Sequence, residues 1–320
     1  MQATVLRRQL AGFCAASMWL LWATPGSAQE LHGVVALTDS TPIGGARVEL
    51  HSVGEATGVL VDSTLTDGSG RFEFSLEATE ASGTVFLVGA RYGGVLYWGP
   101  PIHAANPGDL SDFSVAVFDT AVVSGPVEAL RTAMRHVVIT PGIAGVAVEE
   151  IIDVQGLPDR TLVPVGDSVL VWSGALASDA HAVFPSQGGV PAEDLVVSSG
   201  TVGFNGALPP KGIRVVLQYV VSSTEFQLQV DHPTERMELL VMSREGIDVR
   251  AEGLVEAPVG SDMRVPMRRF TATDLAPGTT VSIIAEFEEP GRGRAWIWFL
   301  VSLALGGAAL LSTRLTAKGV

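Results

Sequence analysis

One cysteine, two lysines and two asparagines are all that 320 residues hold of those three types. The cysteine, Cys14, lies in the leading apolar stretch, so the rest of the chain has no disulfide, no thiolate metal ligand and no haem-attaching pair. Its stability must come from packing. Neither Asn106 nor Asn205 begins an Asn-x-Ser/Thr sequon. Positive charge is scarce, with 20 Lys and Arg against 34 Asp and Glu, giving a net charge of −14, or −16 without Arg7 and Arg8. Nucleic acid is a poor partner for such a surface. Nor is there a Gly-x-Ser-x-Gly elbow, a His-Glu-x-x-His helix, a phosphate-cradling loop or a dinucleotide fingerprint. The six histidines, His32, His51, His103, His136, His181 and His232, are scattered singly.

The two ends are informative. Arg7 and Arg8, an apolar stretch from Leu10 to Ala23 and the small residues of Pro25-Gly26-Ser27-Ala28 form the three regions of a secretory signal peptide, 1–28, cleaved after Ala28. The stretch is too short to span a bilayer, and Phe13 before Cys14 excludes a lipobox. Residues 295–313 read as a transmembrane helix. The uncharged run from Ala295 to Leu311 covers roughly 25 Å at 1.5 Å per residue, with Trp296 and Trp298 at headgroup level. Arg292 and Arg294 precede it, while Arg314 and Lys318 follow. Orientation therefore rests on the signal peptide, which puts the bulk of the chain outside and residues 314–320 in the cytoplasm.

Between the ends, strand patterns dominate. Arg71-Phe72-Glu73-Phe74-Ser75-Leu76, Arg47-Val48-Glu49-Leu50 and Glu225-Phe226-Gln227-Leu228-Gln229-Val230 alternate polar and apolar, so each buries one face. Turn chemistry recurs at Pro42-Ile43-Gly44-Gly45, Asp67-Gly68-Ser69-Gly70, Asn205-Gly206, Pro209-Pro210-Lys211-Gly212 and Ala276-Pro277-Gly278. Short strands with regular turns and almost no helical periodicity predict an all-β protein of two consecutive β-sandwich units followed by the single transmembrane α-helix. Val123-Ser124-Gly125-Pro126 interrupts the pattern, giving units over 30–122 and 127–288.

The first unit resembles the carboxypeptidase regulatory-like domain. The likeness rests on Leu31-His32-Gly33-Val34-Val35, then Ile43-Gly44-Gly45-Ala46-Arg47-Val48-Glu49-Leu50, then Thr66-Asp67-Gly68-Ser69-Gly70-Arg71-Phe72-Glu73-Phe74. It implies a prealbumin-like sandwich of seven strands, related to carbohydrate-binding and starch-binding folds. It carries no catalytic residue, because these motifs are structural. The second unit is similar to the extracytoplasmic part of bacterial membrane proteins in which this module precedes further strands and a C-terminal helix. Val148-Glu149-Glu150-Ile151-Ile152-Asp153-Val154, Pro158-Asp159-Arg160-Thr161 and Leu208-Pro209-Pro210-Lys211-Gly212 before Gln218-Tyr219 carry this. That resemblance implies a setting among respiratory or cytochrome-maturation systems.

Candidate chemistry is sparse. Asp62, Asp67 and Ser69 lack the spacing of a calcium loop and read as a turn. Glu149 and Glu150 are strand neighbours pointing to opposite faces, which prevents them from acting on one atom and leaves one of them partly buried. The binding surface is expected at Ala90 to Pro101, where Tyr92, Tyr97 and Trp98 among glycines and prolines could form an aromatic ledge for a sugar or a protein. No metal or cofactor is expected. The functional expectation is a non-enzymatic, membrane-tethered binding or assembly module, on a bacterial inner membrane facing the periplasm, with a protein partner in the envelope. Two alternatives are a carbohydrate-binding module of the envelope and a hydrolase with its site between the sandwiches.

Overall fold

A computed structural model describes residues 29–54, 58–76, 83–128, 130–142, 145–242, 247–259 and 267–287. The signal peptide expected over 1–28 and the helix expected over 295–313 lie outside these residues. Among the described residues no helix is long and apolar enough to cross a membrane, and the one helical element is a short 3-10 turn at Ala192–Asp194. The protein is nearly all β, as the alternation predicts.

Contacts divide the chain into two compact units. The first holds the strand up to Val35, then Pro42–Ala90 and Trp98–Val115. The second holds Ala36–Thr41, Arg91–Tyr97 and the described residues from Ala116 onward. Strand Asp119–Val123, at the end of the unit expected over 30–122, pairs in parallel with Arg160–Pro164.

The first eight strands are β1 (Gln29–Leu37), β2 (Arg47–Val53), β3 (Gly58–Leu65), β4 (Arg71–Leu76), β5 (Val85–Tyr92), β6 (Val95–Trp98), β7 (Ile102–His103) and β8 (Phe113–Val117). One sheet has the order β4-β1-β8. The other has the order β3-β2-β5-β6, with β7 on β5. Alternation works as the pattern demands: Phe72, Phe74 and Leu76 of β4 are buried while Arg71, Glu73 and Ser75 are exposed. Leu31, Val35, Val48, Leu50, Phe86, Val88, Phe113 and Val115 complete the apolar interior of this sandwich. Gly33 stands opposite Phe72 in the ladder, and a β-carbon there would come within 2.2 Å of the Phe72 ring. Only glycine lets that ring lie flat across the strand.

The second unit continues with β9 (Asp119–Val123), β10 (Arg131–Gly142), β11 (Gly145–Gln155), β12 (Arg160–Pro164), β13 (Trp172–Ala175), β14 (Ala180–Pro185), β15 (Leu195–Ser198) and β16 (Thr201–Phe204). Then come β17 (Ile213–Val221), β18 (Glu225–Gln229), β19 (Thr234–Met242), β20 (Ile247–Glu252), β21 (Val255–Ala257), β22 (Met267–Leu275) and β23 (Thr280–Phe287). A seven-stranded sheet runs β14-β17-β11-β10-β19-β22-β21, antiparallel except for the β10–β19 pair. Its buried residues, among them Val137, Ile139, Val148, Ile152, Leu217 and Leu239, share one apolar core with Phe226, Leu228, Val249 and Ile283 of sheet β18-β23-β20. Trp172, Val202 and Phe204 of sheet β13-β16-β15 join the same core. This too is a sandwich arrangement, with faces closed by side chains that alternate inward.

Candidate functional site

The three aromatic residues expected to form a ledge do not share a face. Successive strand residues point to opposite sides, so Tyr97 turns inward, 5% exposed, while Trp98 turns out, 42% exposed. The Tyr97 hydroxyl lies 3.0 Å from the Phe118 carbonyl and 2.8 Å from the Thr161 hydroxyl, and burial pushes its pKa up. It is a core residue. Tyr92 is half-buried and donates to the Asp119 carboxylate at 3.0 Å, a bond that raises its pKa. Both tyrosines are thus tied into the second unit, and the expected two-tyrosine platform is replaced by Trp98 alone.

Trp98 sits on the outer face of the β3-β2-β5-β6 sheet. Its ring meets His51 of β2 edge-on, centroids 5.1 Å apart at 78°. The His51 Nε2 lies 3.4 Å from the largely buried Glu49 carboxylate, whose other oxygen is 3.3 Å from Arg47. Beyond His51 in the ladder comes Leu60 of β3, and beyond Arg47 comes Leu65. β3 is the edge strand, and Val59, Leu60, Val61 and Leu65 are 58%, 47%, 54% and 64% exposed. The sequence signal for this lay in Gly58–Leu65 itself, whose run of aliphatics alone does not distinguish a core strand from an edge.

Elsewhere, polar groups are committed to structure. Glu149 and Glu150 do face opposite ways: Glu149 is half-buried beside Gln218, while Glu150 is 1% exposed in the core. One Glu150 oxygen accepts from the Arg135 Nε at 2.8 Å; Nη2 is 2.8 Å from the same oxygen but misaligned for a hydrogen bond, an ionic contact only. Tyr219 donates to the other oxygen, and Arg135 Nη1 donates to the Gln229 carbonyl at 2.7 Å. Burial pulls the Arg135 pKa down, yet the Glu150 charge outweighs it and keeps the guanidinium above its ordinary value. Burial first, then the Glu150 charge, pushes Tyr219 well above the ordinary tyrosine range. This cluster holds a charge pair in place and presents nothing to a ligand.

A shallow cleft of about 220 Å³ lies in the second unit among Glu128, Ser173, Thr201, Asp231 and His232. Asp231 is engaged by the Ala175 amide, and His232 Nε2 lies 2.8 Å from the Ser173 carbonyl. A carbonyl only accepts, so that nitrogen carries the proton. The ring stacks on Trp172 with centroids 6.1 Å apart, and its Nδ1 is buried without a partner. Neither group is arranged as a base beside a nucleophile.

Asp67 behaves as a turn residue: one carboxylate oxygen accepts from the Arg71 amide, the Ser69 amide and the Ser69 hydroxyl, each at 2.8 Å. The Arg71 bond leads in lowering its pKa. The sequence missed one grouping, because strand pairing brings Glu73 to His32 and Glu30 from 41 and 43 residues away. Their donor atoms lie within 4.8 Å of one another, on exposed side chains. His32 sits between the two carboxylates, at 3.4 and 3.8 Å.

No family model matches the chain, and no curated protein matches it in sequence. Among solved structures it is similar to an M1 zinc metallopeptidase from Deinococcus radiodurans, at 12% identity over 49% of this chain and 42% of that one, TM-score 0.28. The full-length major pilin SpaD from Corynebacterium diphtheriae aligns at 11% identity over 81% of each chain, TM-score 0.21. Invasin, a bacterial integrin-binding protein, aligns at 10% identity over 81% of this chain and 54% of its own, TM-score 0.17. At such TM-scores these likenesses carry no argument.

Proposed function

We propose that this chain is a non-enzymatic binding or assembly module, exported and tethered to a bacterial membrane by its C-terminal apolar run, that engages a protein partner through the outer face of its first sandwich. The observation that carries this reading is the row Trp98–His51–Leu60, in which an exposed indole meets a half-buried imidazole edge-on and an exposed aliphatic residue stands opposite that histidine in the ladder. Exposed aromatic and aliphatic side chains in one patch mark interaction surfaces. In the second unit the Glu150 carboxylate is taken up by Arg135 and Tyr219, a structural engagement that favours binding over catalysis. A setting near respiratory or cytochrome-maturation systems is part of the proposal and follows only from the resemblance of the second unit.

A saccharide reading is favoured by one specific observation: an exposed indole beside a histidine and a carboxylate is a platform on which a sugar ring can stack. The two readings separate by experiment. A photo-crosslinking amino acid at position 98 of the full chain, in native membranes, should trap one discrete protein species, while the same residue at position 92 should not. A glycan array bound in a Trp98-dependent way, with no protein adduct, would establish the saccharide reading instead.

A further inference from the structure

We infer that the partner contributes an extended, basic strand, added to the sheet along the free edge of β3; this rests on the protein-binding reading above. Among the described residues β3 pairs only with β2, so its second edge presents N–H and C=O groups that extended backbone can satisfy. Natural sheets blunt such edges with lysine, proline, charges or bulges. β3 has no lysine or proline and a single charge, Asp62, while four of its eight residues are exposed aliphatics. Its protections are Asp62, whose carboxylate accepts from the Ser63 amide at 2.7 Å, and the irregularity between Leu50 and His51, where Val61 finds no ladder partner. That bulge limits addition to a short strand, since a long flat one could not follow it.

Charge selects the occupant. The described residues of the first unit carry seven carboxylates, Glu30, Glu49, Asp62, Asp67, Glu73, Asp109 and Asp112, against Arg47 and Arg71. A second copy would bring its own acidic unit, and antiparallel pairing of β3 with itself would set Asp62 near its counterpart. Like charges opposed across a ladder are unfavourable, and the whole chain at −14 repels itself. A foreign strand with alternating aliphatic side chains and flanking lysine or arginine meets the backbone edge, the aliphatic stripe and the acidic field together.

The test uses the full chain in nanodiscs and fluorescein-labelled ten-residue peptides that alternate valine and threonine and end in lysine and arginine, read by fluorescence anisotropy. The basic peptide should bind at least tenfold more tightly than the same peptide ending in glutamates. Alternate-residue N-methylation, which removes strand pairing, should abolish binding. Affinity should fall several-fold between 50 and 500 mM NaCl as the charges are screened. Asp62→Lys should weaken the basic peptide at least tenfold and improve the acidic one. Leu65→Lys should weaken both, with the melting temperature showing that each variant folds. No binding of the basic peptide, equal binding of both peptides or survival of N-methylation would overturn the strand-addition inference. If position 98 nevertheless traps a protein in membranes, the binding reading stands and only the edge-strand partner fails; if it traps none, both fail.

Discussion

The Arg135–Glu150–Tyr219 cluster concentrates the largest single-residue consequences. Glu150→Gln keeps an acceptor for Tyr219 but leaves a buried guanidinium without its counter-charge, which costs about 3–5 kcal/mol. Urea unfolding should show that loss. The double variant Arg135→Met/Glu150→Gln should recover part of it, because no charge then remains in the core. Tyr219 adds a pH signature. Above about pH 10 an unfolded tyrosine ionises, while folded Tyr219, buried beside Glu150, keeps its proton. The unfolded state then binds fewer protons, so the unfolding free energy falls as pH rises. The stabilisation is whole below pH 10 and is lost above it, and Tyr219→Phe should show a shallower alkaline loss. Sequence reasoning reached the opposite facing of Glu149 and Glu150. It missed Arg135 and Tyr219, since pairing of β10 and β17 with β11, not sequence distance, brings them to that carboxylate.

Among the elements, the strands with strict alternation were legible. Arg71–Leu76 and Glu225–Gln229 form with the predicted faces buried. β17 was harder to place, because a central strand with Val215, Val216 and Leu217 buried in succession lacks a clean period of two. The turn at Pro209 to Gly212 was also legible, and its glycine is obligatory. Gly212 has φ +79°, its amide donates to the Pro209 carbonyl at 2.8 Å, and a β-carbon there would fall 2.1 Å from the Val154 carbonyl oxygen. Backbone cannot yield as a flexible side-chain tip does. Gly212→Ala should therefore cost roughly 2–3 kcal/mol, combining left-handed strain with displacement of the β11–β17 ladder. Hydrogen exchange should locate the loss in β11 and β17. The proposed binding face was half legible: Trp98 was identified, but the partition of Tyr97 from Trp98 required the strand phase, and the edge position of β3 required the sheet order.

For the whole molecule, the sequence argues for export and a single tether more directly than for any ligand. If the run from Ala295 to Leu311 is the one stop-transfer segment, a chain ending at Glu288 should accumulate as a soluble, β-rich protein in the periplasm or medium. β23 ends at Phe287, so the cut leaves both sandwiches their strands. An arginine at position 303 in place of leucine tests the same segment from within, because a charge at the centre of a spanning helix costs about 2.5–3.5 kcal/mol on insertion scales and seventeen apolar residues leave little surplus. Membrane retention of Leu303→Arg should fall while the fold persists, as circular dichroism of the released fraction would show. A carbonate wash decides between anchor and adhesion. Truncated protein that stays in the pellet after the wash would mean that the exported part itself binds membrane or an integral partner, and the single-tether topology would be wrong.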